Sequence, residues 1–272
     1  MGVTDFQRAI CRLLARARVE QGESYVAGGV ALNTLIGAKR VSRDIDLFHD
    51  TREALAATWD SDRSQLLSHG YAVDVRRERP TFVEALVRRD QQTVVLEWVC
   101  DSAYRFFPLV EHPDFGLTMH PFDLATNKVL ALVGRLEVRD WIDAMACSEH
   151  LQHLGYLAWA ATGKDPGYSP TFLLAEARRS TRYSAAEVGA LAFEGPAPNA
   201  ADLSLQWNKM LGEAEAIIEE LPVGEVGNCV ISTHGELFRG SAEALAKALR
   251  RGDVTFHAGS IRGAMPKILS TR

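Results

Sequence analysis

The sequence predicts an α+β fold: a mixed sheet with helices first, a helical region next, and a small α/β appendage last. Three observations carry this reading. Short runs of strand-like composition, Ile45–Phe48, Ala72–Arg77, Thr81–Val87 and Thr93–Val99, cluster before residue 100. After Pro121 the texture changes to helical periodicity, interrupted by breaker-rich connectors at 163–167 and 194–198. From Asn228 onward two strand-like runs bracket one amphipathic helix. Three parts follow, with expected boundaries at 1–120, 121–222 and 223–272.

Residues Thr4–Glu20 place Phe6, Ile10, Leu13, Leu14 and Ala17 on one side of a helix. Ser24–Ala27 is a short strand that Gly28-Gly29 turns into a helix carrying Val30, Leu32, Leu35 and Ile36, with Gly37 as its stop. The strand Ile45–Phe48 leads into a helix over Arg52–His69 that Gly70 closes. Arg89-Asp90 and Gln91-Gln92 mark a hairpin turn between the last two strands of the first part. Helices are expected at Phe122–Arg135, Asp140–Thr162, Thr171–Thr181, Ser184–Phe193 and Ala201–Glu220. In the tail, Asn228–Ser232 and Val254–His257 are strands around a helix that Ser241 caps and Gly252 ends.

A chain of 272 residues, 47% hydrophobic, can build a substantial core. A net charge of −5 argues against gripping nucleic acid over the whole surface, though local basic patches remain open. Cys11, Cys100, Cys147 and Cys229 lie far apart with no CxxC spacing, as expected of reduced thiols rather than a zinc site. No apolar run approaches membrane-spanning length and the first twenty residues are charged throughout, so a cytoplasmic protein is expected.

The segment Tyr25–Phe48, YVAGGVALNTLIGAKRVSRDIDLF, holds the densest chemistry. On a strand, Asp44 and Asp46 point to one face while Ile45 and Leu47 point to the other. Two carboxylates sharing a face repel unless a cation sits between them, and a divalent ion shared with a nucleoside triphosphate meets that need. Glycines at a helix N-terminus let phosphates approach backbone N–H groups where the helix dipole favours anions. Glu97 is a lone acid inside the apolar strand VVLEWV, where a charge without a partner is costly; Asp101, past the strand end, is its substitute.

Gly28-Gly29, Arg40, Ser42 and Asp44-Ile45-Asp46-Leu47-Phe48 together resemble the first motif of the polymerase β-type nucleotidyltransferases. The arrangement is most similar to the AbiEii/AbiGii toxin branch, which includes the MenT-type toxins. Lys128 to Arg135 (KVLALVGR), then Arg139-Asp140 and Asp143, resemble the same branch, so the likeness spans roughly residues 20–145. It implies a nucleotidyltransferase domain at 1–120, completed by the helical domain at 121–222. It implies Asp44, Asp46 and Glu97 as ligands of Mg²⁺ or Mn²⁺, with Glu97 helping to deprotonate an acceptor hydroxyl. Gly28, Gly29 and Ser42 would hold the triphosphate, Arg40 would neutralise phosphate charge and Lys128 would reach the triphosphate. Asp140 and Asp143, one turn apart on a helix, would bind the nucleotide or orient Lys128 and Arg135.

The resemblance therefore implies NMP transfer from an NTP to an acceptor, with the tRNA 3′ end as the favoured acceptor and a cognate antitoxin as partner. A small polycation such as an aminoglycoside is the alternative acceptor, and a non-catalytic nucleotide-binding module the alternative class. Arg76, Arg77, Arg79, Arg88 and Arg89 form a basic cluster on adjacent strands, either an RNA track or a charge-guarded sheet edge. Tyr104, Phe106 and Phe107 are candidates for base stacking or for core packing.

Overall fold

The computed structural model describes residues 2–179 and 183–267. Two compact units emerge: residues up to Ala103 with Leu109–His120, and Tyr104–Pro108 with the chain from Pro121 on.

The first unit begins with α1 (Asp5–Gln21), where Thr4 and Gln7 form a capping box and Gly22 closes the helix in the left-handed region. Then follow β1 (Tyr25–Ala27), α2 (Gly28–Leu35), β2 (Arg40–Val41), β3 (Asp44–His49) and α3 (Arg52–Ser68). Three long strands come next, β4 (Ala72–Arg79), β5 (Phe82–Arg89) and β6 (Gln92–Cys100). After β7 (Tyr104–Arg105), which belongs to the second unit, β8 (Val110–His112) and β9 (Gly116–Thr118) return to the first. Its seven-stranded sheet has the order β4-β5-β6-β3-β1-β9-β8. The sheet is mixed, because β3 runs parallel to β6 and β1 parallel to β9 while the other neighbours are antiparallel.

One face of this sheet is the core. Ile45, Leu47, Val83, Ala85, Leu96 and Trp98 are buried there against α1 and α3. Trp98 packs edge-on to Trp59 at 4.6 Å and donates its indole N–H to Asp62 at 2.9 Å. Burial pushes the Asp62 carboxyl up to about 6, against the opposing pull of Arg18 and the Trp98 hydrogen bond. Arg18 is itself buried and donates to the Phe115 carbonyl at 2.6 Å, tying α1 to the β8–β9 hairpin. This polar pillar fixes β6 from behind and leaves the opposite face of the sheet to chemistry.

The second unit holds α4 (Pro121–Arg135), α5 (Val138–His150), α6 (Leu154–Lys164), α7 (Pro170–Ala177), α8 (Ala185–Gly189), β10 (Ala192–Phe193) and α9 (Ala200–Glu220). Its tail is β11 (Cys229–Ser232), α10 (Ala242–Arg251), β12 (Val254–His257) and β13 (Ser260–Ile261). Tyr156 and Trp159 of α6, Ile217 and Leu221 of the α9 end, Val230 and Leu245 form one buried cluster, so tail and helices share a core. Ser241 caps α10 and Gly252 ends it at φ 73°, as the sequence indicates.

Three helix expectations need correction. The stretch Asp140–Thr162 is two helices, because Gln152 turns its buried amide onto the carbonyls of Val230 (3.1 Å) and Phe238 (2.7 Å). That tertiary demand overrides a continuous helical pattern. The helix expected at Thr171–Thr181 ends at Ala177, and Thr181 lies outside the described residues. Ser184–Phe193 is a five-residue helix followed by the short strand β10.

Phe106 and Phe107 are core residues, packed edge-on against Phe122 at 5.2 and 5.6 Å. Their backbone N–H groups donate to the buried Asp123 carboxylate at 2.8 and 3.0 Å, and Lys164 closes the group with an ion pair at 2.9 Å. This anchor is the reason residues 104–108 leave the first unit. Cys11, Cys147 and Cys229 are free and buried, while Cys100 is free and half-buried. Among the described residues no helix is long and apolar enough to cross a membrane.

Candidate active site

The first unit gathers most of the expected residues around the β1–α2 turn. Gly28 starts α2 at φ 61°, a conformation that only glycine takes without strain. A Cβ built on Gly28 would stand 1.6 Å from Oδ2 of Asp46, so the Asp46 carboxylate lies over the space a side chain would fill. The neighbouring Gly29 is equally confined: its Cβ would meet Nη2 of Arg40 at 2.6 Å and Oγ of Ser42 at 2.7 Å. Gly28, Gly29, Arg40, Ser42 and Asp46 therefore form one close-packed group. Arg40 and Ser42 are buried in it. Gln7 in the first turn of α1 holds the loop by donating to the Ser42 carbonyl at 2.8 Å.

Strand register adds the other two acids. The burial of β3 alternates strictly, which puts Asp44, Asp46 and Phe48 on the face opposite Ile45, Leu47 and His49. In the parallel β3–β6 pairing Asp46 stands directly beside Glu97, and Asp44 beside Val95. Glu97 thus shares the face of Asp44 and Asp46, one strand spacing (about 4.8 Å) from Asp46. The row continues into β5, where Glu84 is paired directly opposite Glu97. Sequence reasoning passed over Glu84, whose signal is the same as that of Glu97: an acid between apolar neighbours in a strand, on the face opposite the core. Arg77 of β4 completes the row and faces Glu84 at 3.7 Å.

Among the described residues no three or more His, Cys, Asp or Glu side chains are already gathered as a metal cage. The donor set nevertheless suits a hard divalent cation. Three carboxylates rise from one face of two adjacent strands, and Mg²⁺ takes one or two carboxylates together with substrate phosphates rather than a complete protein cage.

The second unit holds the remaining residues as an ion network. Lys128 of α4 reaches Asp140 and Asp143 of α5, each at 3.1 Å, and Arg135 donates to Asp140 at 3.0 and 3.1 Å. Both aspartates are fully buried and Lys128 nearly so. The i, i+3 spacing on α5 places both acids on one face, and the last turns of α4 present the two cations to them.

A family model described as nucleotidyl transferase AbiEii toxin, type IV TA system, matches residues 12–216. The chain belongs to the AbiEii nucleotidyltransferase toxin family. It is accordingly a nucleotidyltransferase toxin of a toxin–antitoxin system. The fold of this AbiEii protein resembles that of JHP933 from Helicobacter pylori, with TM-score 0.56 at 16% identity over 80% of this chain and 95% of that one. It also resembles MenT4, a nucleotidyltransferase toxin from Mycobacterium tuberculosis H37Rv, with TM-score 0.51 at 18% identity over 79% and 83%. At such identities the likeness is one of fold. No curated protein matches the chain in sequence.

Proposed function

We propose that this AbiEii toxin moves a nucleoside monophosphate from an NTP to a hydroxyl at an RNA 3′ end, tRNA being the favoured acceptor, with Asp44, Asp46 and Glu97 as the acids that act. The observation that carries this is the β3–β6 register, which sets Asp46 beside Glu97 on the face shared with Asp44. Arginines on the same sheet face favour a polyanionic acceptor over a polycationic antibiotic.

The reaction needs little covalent work from the protein, so positioning and charge neutralisation supply the rate. The α2 N-terminus, bare of side chains at Gly28 and Gly29 and without an acid in its first turn, offers N–H groups to the triphosphate. Ser42 and Arg40 add a hydroxyl and a guanidinium beside that turn. Glu97 takes the proton of the acceptor hydroxyl as its oxygen attacks the α-phosphorus, and the bond to the bridging oxygen breaks to release pyrophosphate. Asp44, Asp46 and Glu97 would hold a divalent cation, Mg²⁺ or Mn²⁺, whose chemistry is to neutralise the phosphates and acidify the attacking hydroxyl. Lys128 is the ammonium proposed for the triphosphate, and Asp140 and Asp143 fix its position. A cognate antitoxin is the proposed protein partner.

The test is to incubate the purified protein with each α-labelled NTP and Mg²⁺, in parallel with total tRNA and with an aminoglycoside. Label in full-length tRNA supports the proposal. Label in an aminoglycoside and none in RNA would overturn the acceptor assignment, and no transfer to either would overturn the catalytic reading.

A further inference from the structure

The exposed edge strand β4 contains a β-bulge whose consequence reaches the catalytic face. Pairing with β5 runs Val73↔Val87, Asp74↔Leu86 and Val75↔Ala85, then skips to Arg77↔Glu84, Glu78↔Val83 and Arg79↔Phe82. Arg76 is the extra residue. A bulge of this kind re-aims the side chains that follow it. With regular pairing Arg77 would stand opposite Val83, a buried residue on the helix-covered face, and Arg79 would share that face. The bulge instead turns both arginines to the side that carries Glu84, Glu97 and Asp46.

From this register we infer that Arg77 and Arg79 form the contact by which the RNA acceptor's phosphate backbone is held on the catalytic face; the inference rests on the RNA reading given above. Arg77 lies in the same cross-strand row as the acids, two strand spacings (about 10 Å) from Glu97 and three (about 14 Å) from Asp46. Arg79 lies in the adjacent row with Phe82 and Val99. A 3′ hydroxyl at the acid row would leave the preceding phosphates over these two side chains. Both arginines are exposed, and the Arg77 side chain keeps 66% of its surface open despite facing Glu84.

The other basic residues of the cluster are differently placed. Arg88 is held by Asp74 at 2.5 Å, and Arg89 lies 5.3 Å over the Tyr71 ring. Guarding a sheet edge with charge would account for exposed arginines anywhere along β4. A bulge also blunts an edge, but edge protection is indifferent to which face the arginines take, and here both take the face of the acids. A polyanion complements this arrangement, and arginine suits phosphate because its planar fork donates to two oxygens at once.

The experiment compares wild type, the single variants Arg77→Glu and Arg79→Glu, the double variant Arg77→Glu/Arg79→Glu, and Arg16→Glu as a control that matches the charge change of each single variant on the exposed side of α1. Transfer from a labelled NTP to total tRNA is measured against tRNA, NTP and salt concentration. The double variant is expected to raise KM for tRNA at least about tenfold and to flatten the slope of log(kcat/KM) against log[salt] by about 1 to 2. KM for the NTP and the thermal midpoint should stay at wild-type values, and Arg16→Glu should match wild type throughout. If wild type labels tRNA and the double variant does so with unchanged KM and salt slope, the inference is overturned while the RNA reading stands. If wild type labels only a small molecule, both fall.

Discussion

Replacing Gly28 by alanine tests the packing of the phosphate turn against the catalytic acid. Two costs follow from the structure. Gly28 sits at φ 61°, where an L-residue costs roughly 1–2 kcal/mol. The added methyl would also stand 1.6 Å from Oδ2 of Asp46, so the carboxylate must leave its place at a further cost of about 0.5–1.5 kcal/mol. The sum, about 1.5–3.5 kcal/mol, should lower the thermal midpoint by roughly 3–14 °C. Function should suffer more than stability, because misplacing a reacting group by about 1 Å costs around a hundredfold in rate. The assay pairs thermal unfolding with label transfer measured well below the midpoint. Gly134→Ala is the counter-example: nothing lies within 4 Å of its Cβ, so it should be neutral or stabilising. Gly28→Ala with wild-type transfer would refute the idea that Asp46 occupies the glycine's space for a catalytic reason.

Glu97→Gln should lower kcat by roughly 10²–10⁴, the usual worth of a general base, whereas Glu84→Gln should keep transfer within about threefold. Because Glu84 and Glu97 face each other across β5–β6, Glu84→Gln should also leave stability unchanged or raise it by up to about 1 kcal/mol, read by denaturant unfolding. Lys128→Ala removes the ammonium that two buried carboxylates share, while Arg135 still pairs with Asp140, and should cost about 3–5 kcal/mol; activity lost in that variant must therefore be scored only on the folded fraction. Burial lowers the His49 imidazole to about 4, so between about 6.5 and 4 the unfolded chain binds the proton first and stability falls as pH falls. His49→Asn, which can still donate to the Val99 carbonyl, should lose about 3 kcal/mol less than wild type between pH 7 and pH 4. Parallel pH profiles for the two proteins would show that His49 carries no such burden.

Much of this was legible in the sequence because the decisive signals are local. Alternation alone places Asp44 and Asp46 on one face, and a glycine pair before an apolar helix announces the turn that meets them. Glu97 could be singled out as an acid in an apolar run, but its position beside Asp46 depends on a parallel pairing between strands about fifty residues apart. Glu84 stayed hidden for the same reason: its importance is its partner, and pairing is a tertiary fact. The bulge at Arg76 could not be read either, since one extra residue in an exposed arginine-rich strand leaves no mark in composition. The break at Gln152 and the Asp123–Lys164 anchor were likewise invisible. In each a buried polar side chain serves a segment tens of residues away, and that demand outweighs helical pattern and aromatic composition.

The most direct measurement is binding of Mn²⁺, followed by its paramagnetic signal, in the presence of a non-hydrolysable NTP. Wild type is expected to bind the ion, while Asp44→Asn, Asp46→Asn and Glu97→Gln should each weaken binding at least about tenfold with the thermal midpoint kept. Wild-type affinity in all three variants would contradict the assignment of these acids.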